Sequence, residues 1–142
     1  MSHEVEIGRG KRGRRAYTLD DIALVPARRT RDPEDVNVGW QIDAYHVDIP
    51  LMAAPMDSVM SPETAIAFGR LGGIGVLDLD GLWTRYEDPA PILDQIAHLG
   101  EEESIATLQR VYSEPIKPSL ITERLKQLRE AGVVVAGKLS PQ

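Results

Sequence analysis

The chain has 142 residues, of which 42% are hydrophobic, 27% charged and 5% aromatic, and its formal net charge is −6. This composition is typical of one soluble globular domain of moderate size. No apolar run approaches the roughly 18 residues that a membrane-spanning helix requires, and the N-terminus lacks the basic and then apolar order of a secretory signal. These features predict a cytoplasmic protein that does not enter the membrane.

The sequence contains no cysteine, which excludes disulfides, thiolate metal sites and cysteine nucleophiles within these residues. The three histidines are His3, His46 and His98, and they lie far apart without the spacing of metal ligands. We therefore predict no metal site in this chain.

Positive charge is concentrated at the N-terminus. Residues 1–15 hold five lysines and arginines against two glutamates, whereas the remainder holds 11 against 20 acidic residues. The acidic body argues against general nucleic-acid binding. The run Arg9–Arg15 is compatible with phosphate or RNA binding, but repulsion between like charges and the glycine content favour a solvated chain. We predict a basic, flexible tail over residues 1–16.

The segment after residue 16 contains few patterns typical of a helix or a strand before Val36. Val36, Val38, Trp40 and Ile42 alternate with polar or small residues, which predicts a short strand. The apolar run Ile49–Ala54 then predicts a strand that is buried on both faces, and Pro55 ends it because proline has no N–H to donate.

A helix is predicted directly after this strand. Ser61 suits the N-cap, Pro62 suits the first helical position, and the Gly72–Gly73 pair supplies a left-handed stop. Residues 74–77 predict a second buried strand. A strand, a helix and a strand within about 30 residues have the length of a parallel βαβ unit.

The pattern continues along the second half of the chain. Helices are predicted after Asp88–Pro89, around Ile105–Tyr112, and in a segment capped by Ser119. Gly132 ends the last of them, and the run Val133–Ala136 predicts a third parallel strand. Strands that alternate with helices predict an α/β fold with a parallel sheet.

Three motifs occur in register in the first half of the chain. Residues 17–26 read YTLDDIALVP, residues 49–59 read IPLMAAPMDSV and residues 72–76 read GGIGV. Their order and separation resemble the IMP dehydrogenase and GMP reductase family. Residues 77–89, LDLDGLWTRYEDP, are similar to the IMP dehydrogenase-related proteins of actinobacteria, which lack the regulatory CBS-domain pair. The resemblance covers residues 17–77 well and the rest by pattern only.

The resemblance implies that residues 17–142 are the N-terminal portion of a TIM (β/α)₈ barrel. It implies no CBS domains, because short helices account for the 46 residues from Asp88 to Val133. A complete barrel takes about 250 residues. We therefore expect a fragment whose catalytic cysteine lies beyond Gln142, and no activity in this chain alone.

The resemblance also implies an oxidoreductase of GMP biosynthesis that oxidises IMP to XMP with NAD. In the family, a cysteine attacks C2 of the purine, hydride passes to NAD, and the covalent intermediate is hydrolysed. For the full-length enzyme, the resemblance also implies a homotetramer and allows a monovalent cation as a further cofactor. Two alternatives stay open: a GMP reductase, which uses NADPH and releases ammonia, and a non-catalytic truncated fragment that binds a nucleotide or a partner.

The motifs also suggest site residues. Met56 matches the family methionine that packs on the nucleotide near the purine, and Ala54 stands where many relatives have a serine that contacts the nucleotide. Thr18 matches a position near the adenosine end of NAD. We expect Asp57 to tie its own loop through backbone N–H groups. Without the resemblance, Met56 would be core filler and Asp57 a turn residue. Because the βα loops gather at the carboxyl ends of barrel strands, residues 54–59 are expected to face the active site.

Overall fold

The computed structural model describes residues 4–25 and 32–141. These residues form two compact units that divide between Val36 and Asn37, whereas the boundary predicted from the sequence falls after residue 16. The difference arises because residues 17–25 and 32–36 contribute no strand to the sheet of the second unit. Predictions that fall on residues 1–3, 26–31 and 142, among them Pro26 as the end of the first motif, lie outside the described residues.

The first unit begins with an antiparallel hairpin of β1 (Glu4–Gly8) and β2 (Lys11–Arg14). Gly10 takes a φ of 70° in the two-residue turn, a conformation that glycine adopts without steric cost. The structure therefore has a hairpin over residues 4–14 in place of the predicted flexible tail.

Cross-strand charge pairs explain why repulsion does not unfold this hairpin. Glu4 stands opposite Arg14, and Glu6 stands opposite Arg12. Opposite charges across an antiparallel pair stabilise the ladder. Two short 3₁₀ turns, Leu19–Asp21 and Pro33–Asp35, complete the regular structure described in this unit.

The second unit opens with a smaller hairpin. β3 (Trp40–Ile42) pairs antiparallel with β4 (Tyr45–Val47), and Asp43 takes a φ of 48° in the turn between them. The strand predicted from alternation is confirmed over its second half. Val36 and Val38 precede the strand.

A three-stranded parallel sheet forms the centre of the second unit. Its strands are β5 (Met52–Ala53), β6 (Ile74–Asp78) and β7 (Ala136–Lys138), in that spatial order. The predicted α/β class with parallel strands is confirmed. β5 is shorter than predicted and Met52 is exposed, because Pro50 and Pro55 flank it without N–H groups and its outer edge has no partner among the described residues.

Four helices connect the strands. They are α1 (Pro62–Arg70), α2 (Ala90–Ala97), α3 (Glu101–Tyr112) and α4 (Pro118–Glu130). The predicted signals at α1 are confirmed: Ser61 Oγ accepts from Thr64 N at 3.1 Å, and Gly72 takes a φ of 93°. The cap predicted for α4 at Ser119 is wrong. Its N-cap is Lys117, because Pro118 occupies the first helical position.

The core lies between the sheet and the helices α1 and α4. It is built from the buried residues Met60, Ala65, Leu77, Leu79 and Leu128. Val133 and Val135 pack against this core before the β7 ladder begins at Ala136. The third strand was therefore predicted about three residues too early, because the valines at its predicted start pack against the core and do not pair with β6. Among the described residues, no helix combines the length and apolarity needed to cross a membrane.

Candidate functional site

A cavity of about 610 Å³ opens beside the carboxyl ends of β5 and β6. Its lining comes from the loop after β5, from the end of β6 with the loop that follows, and from α2 and α3. The lining residues are Pro55, Met56, Asp57, Ser58, Asp78, Leu82, Leu93, Ile96, Ala97, Leu108 and Tyr112. The carboxyl ends of parallel strands are where α/β proteins commonly bind ligands.

The structure places Met56 on this cavity, with 51% of the residue exposed. Its backbone forms a tight turn, in which Met56 N donates to Ala54 O at 2.9 Å and Met60 N donates to Met56 O at 2.8 Å. Ala54 lies in the same turn but does not line the cavity. Thr18 lies in the first unit, where it is the N-cap residue of a 3₁₀ turn and its hydroxyl donates to the Asp21 carboxylate at 2.9 Å.

Asp57 is buried, with 9% of the residue exposed, and it joins segments that are distant in sequence. Its Oδ2 accepts from Leu82 N at 2.7 Å and from Tyr112 Oη at 2.5 Å. The expectation that Asp57 ties its own loop is wrong, because its donors come from the loop after β6 and from the end of α3. Its Oδ1 packs against Gly81, where a Cβ would lie only 2.2 Å away.

Tyr112 ends α3 and presents its hydroxyl to this carboxylate. Partial burial of the phenol, together with the hydrogen bond to Asp57, raises the pKa of Tyr112 above its ordinary value. The guanidinium of Arg85 lies 5.7 Å from the centre of the Tyr112 ring. The phenol is therefore held as a protonated donor.

The raised pKa of Tyr112 predicts a loss of stability at alkaline pH. Because the pKa in the folded chain exceeds the unfolded value of about 10, the contribution of the protonated phenol is complete below about pH 10 and declines as pH rises toward the folded pKa. We expect the urea midpoint of the wild type to fall more steeply above about pH 10 than that of Tyr112→Phe. Parallel declines for the two proteins would contradict the assigned hydrogen bond.

The loop after β6 is anchored firmly against the core. Leu82 and Thr84 are buried, and Thr84 Oγ1 donates to Leu79 O at 2.9 Å. From α4, the buried Arg124 donates to the backbone oxygens of Trp83 at 3.0 Å and Glu87 at 2.5 Å. This loop carries Leu82 N to Asp57, so the anchoring fixes one side of the cavity.

Charged residues meet at the carboxyl ends of β6 and β7. Lys138 Nζ lies 3.3 Å from Asp78 Oδ1 and 3.2 Å from Asp80 Oδ2, and Ser140 N donates to Asp80 Oδ2 at 2.8 Å. The Ser140 N–H lowers the pKa of Asp80, and the hydrogen bond to the Asp80 carboxylate raises the pKa of Lys138. The ion pair with Lys138 therefore partly neutralises the negative charge of Asp78 at the edge of the cavity.

Asp78 and Tyr112 were not predicted as site residues from the sequence. Asp78 could have been found, because it directly follows an apolar strand and so falls at a carboxyl end. Tyr112 carried no such signal, since it comes from a helix 55 residues beyond its partner Asp57. No group of three or more His, Asp or Glu side chains is placed to hold a metal ion in the described ranges 4–25 and 32–141.

Comparison with known proteins decides the family. Residues 16–99 match the model of the IMP dehydrogenase / GMP reductase domain. The chain belongs to this family. The matched range includes the Met56 loop, Asp57, Asp78 and Leu82, so most residues that line the cavity fall within it, whereas Leu108 and Tyr112 lie beyond it.

Relatives that match the chain almost end to end come from bacteria. Uncharacterised oxidoreductases of Mycolicibacterium smegmatis and Mycobacterium leprae are each 43% identical over 97% of the chain. The chain spans 38% of the length of each of these proteins. The inosine-5′-monophosphate dehydrogenase of Methanocaldococcus jannaschii is 42% identical over 64 residues, which are 45% of the chain and 13% of that enzyme.

A solved structure shows the same fold. The IMP dehydrogenase/GMP reductase-like protein from Corynebacterium glutamicum superimposes with a TM-score of 0.79 at 42% identity, over 97% of this chain and 38% of that protein. Its similarity and that of the mycobacterial oxidoreductases extend through α2 and α3, whereas the similarity to the archaeal IMP dehydrogenase covers less than half of the chain. This agrees with the IMP dehydrogenase-related branch that the motifs resemble.

Proposed function

We propose that this chain forms the substrate-facing N-terminal part of a (β/α)₈ barrel that oxidises IMP to XMP with NAD. One observation carries the proposal: Met56, which matches the family motif, lines a cavity at the carboxyl end of a parallel strand. Because the chain spans 38% of its curated relatives, the activity is proposed for a protein that includes the rest of their length.

The arrangement of the strands supports a barrel. β5, β6 and β7 follow one another in space as they do along the chain, and α1 and α4 pack on the sheet. The outer edges of β5 and β7 have no partner within residues 4–25 and 32–141. Further parallel strands can therefore pair at both edges, as closure into a barrel requires.

The cavity fits a purine base better than a phosphate. Its volume of about 610 Å³ is within the range of small-molecule sites. Met56, Leu93, Ile96 and Leu108 give it apolar surface, and no lysine or arginine is among its lining residues. A phosphate needs cationic or N–H partners, so we assign this cavity to the base side and expect the phosphate to be held elsewhere.

The reaction converts IMP, NAD⁺ and water into XMP, NADH and a proton. NAD, when bound, accepts the hydride that leaves C2 of the purine. The residues of this chain would position the base: Met56 packs on it, Asp57 holds the Met56 loop, and apolar residues of α2 and α3 exclude water. With no cysteine in the sequence, the nucleophile of the covalent step is not supplied by these 142 residues.

Thr18 is the weaker fit among the proposed contacts. Its hydroxyl already donates to Asp21, and its backbone N–H donates to the same carboxylate oxygen at 3.0 Å. A contact with the adenosine end of NAD would use the remaining lone pairs of the hydroxyl as acceptors. Thr18 therefore stays a proposed cofactor residue in an acceptor role.

A chimera tests the activity. Residues 1–142 replace the matching 38% of the Mycolicibacterium smegmatis relative, and the product is assayed with IMP and NAD and with GMP and NADPH. We expect NADH formation with IMP from the chimera and from the unmodified relative, and none from the 142-residue chain. Turnover of GMP with NADPH alone would replace the proposal by its reductase alternative, and no turnover of IMP by either protein would reject it.

Met56→Ala tests the site within the same chimera. Removing most of the side chain forfeits about 1.4 kcal/mol of apolar contact, which corresponds to a tenfold rise in KM for IMP. Val59→Ala is the matched control, because Val59 is exposed in the same loop and does not line the cavity. An equal response from the two variants would remove Met56 from the site.

A further inference from the structure

The loop that carries Met56 is joined to the helical wall of the cavity through a single carboxylate. Asp57, the next residue, accepts from Tyr112 Oη at 2.5 Å and from Leu82 N at 2.7 Å on the same oxygen. The bond to Tyr112 is part-buried, and it joins a residue that is 39% exposed to the buried Asp57. The Oη···Oδ2 distance of 2.5 Å is at the short end of the range for O–H···O hydrogen bonds, so this contact is well suited to hold two segments together.

Tyr112 stands at the point where the α3 wall meets the loop. α2 and α3 contribute Leu93, Ile96 and Leu108 to the cavity, and Tyr112 is the last residue of α3. The Arg85 guanidinium lies over the Tyr112 ring and also donates to the backbone oxygen of Glu114. The ring is therefore held from the side of the β6 loop, and its hydroxyl is directed at Asp57.

The backbone hydrogen bonds of the Met56 turn do not join the loop to α3. They join Met56 to Ala54, Val59 and Met60, all within the same loop. They shape the turn, but they do not fix its distance from α3. The hydrogen bond between Tyr112 and Asp57 does connect the two sides of the cavity.

We propose that Tyr112 is a positioning residue, which sets the place of Met56 against the purine base by holding Asp57. The proposal rests on the proposed function for the identity of the ligand, but the mechanical link is a property of the chain itself. Tyr112 acts through Asp57 and does not need to touch the nucleotide.

The chain offers a close control in Tyr86. Its hydroxyl donates to Val111 O at 3.1 Å, one residue before Tyr112, and it makes no bond to Asp57. Tyr86→Phe and Tyr112→Phe each remove one phenolic hydroxyl that bonds near the end of α3. A general weakening of α3 affects both variants, whereas the proposed link involves Tyr112 alone.

The test follows methionine methyl groups by NMR in the 142-residue chain labelled at methionine Cε. In Tyr112→Phe we expect the Met56 methyl resonance to shift and broaden, while the methyl of Met60 in the core and that of Met52 in β5 stay in place. Tyr86→Phe should leave all three unchanged. A Met56 methyl that does not respond to Tyr112→Phe, or that responds equally to Tyr86→Phe, overturns the proposal.

A second variant checks that the shift of the Met56 methyl does not come from misfolding, and it tests whether Tyr112 acts through Asp57. Asp57→Asn weakens the same contact from the other side, and its effect on the Met56 methyl should not add to that of Tyr112→Phe in the double variant. Additive effects overturn the proposal.

If IMP is the ligand, Tyr112→Phe in the chimera raises KM for IMP severalfold with kcat nearly unchanged. Failure of the proposed function appears separately, as absent IMP turnover in the unsubstituted chimera, and leaves the methyl result intact.

Discussion

The Arg124→Ala protein is expected to unfold with a free energy about 3–5 kcal/mol below that of the wild type, the largest effect of any single change considered. Arg124 is only 6% exposed, and its guanidinium donates to the backbone oxygens of Trp83, Tyr86 and Glu87. Truncation removes the donor from three carbonyl oxygens whose hydrogen bonds are part-buried, and each unsatisfied group costs about 1–3 kcal/mol. Urea unfolding followed by circular dichroism measures the loss.

Arg129→Ala is the matched control for this prediction. Arg129 is exposed on the same helix, α4, and replacing a surface residue of this kind usually changes stability by about 0.5 kcal/mol or less. The comparison cancels any effect of alanine on helix propensity. Equal losses from the two variants would show that the carbonyl oxygens are not held by Arg124.

Gly75→Ala should cost about 3 kcal/mol, at the upper end of the range for overpacked cores. Gly75 lies in β6 directly beneath α1, and a Cβ there would lie 2.5 Å from Ala65 Cα and 2.9 Å from Ala65 O. These are backbone atoms, so no side-chain rotation can relieve the contact. Helix α1 would have to move away from the sheet, which opens the core around Leu77.

Gly100→Ala provides the comparison for the glycine in the sheet. A Cβ at Gly100 meets no atom within 4 Å, and its φ of −69° suits any residue. Only a weaker N-cap preference at the start of α3 is lost, which amounts to about 1 kcal/mol or less. Urea unfolding of both variants tests the prediction, and a mild effect at Gly75 would mean that α1 and β6 can move apart at little cost.

Local signals in the sequence predicted local structure well. The start of α1 followed from Ser61 and Pro62, and its end followed from Gly72, because caps and stops depend on neighbouring residues alone. The parallel pairing of β5 with β6 also followed, since a strand, a helix and a strand of this length favour it. The Met56 loop lies on a cavity, whereas the contact of Met56 and Ala54 with a nucleotide stays a prediction.

The missed features depend on contacts between distant residues. Nothing near Asp57 indicates that its donors are Leu82 and Tyr112, which lie 25 and 55 positions away. The N-terminal hairpin was not predicted, because the basic run favours a solvated chain by composition, whereas its pairing depends on the turn at Gly10 and on glutamates opposite arginines. The use of NAD, the contact of Thr18 with it and the tetrameric assembly stay predictions that the resemblance supplies.

Because Gly81 and Asp57 are in close contact, the substitutions that each position tolerates depend on the residue at the other. A side chain at position 81 would overlap the carboxylate, where its Cβ would lie 2.2 Å from Oδ1. A larger residue at 81 becomes tolerable only after position 57 has become smaller, and that change would also release Leu82 N and Tyr112. Homologues that drift at one of these sites without the other should therefore be rare, and those that change both should have rebuilt this side of the cavity.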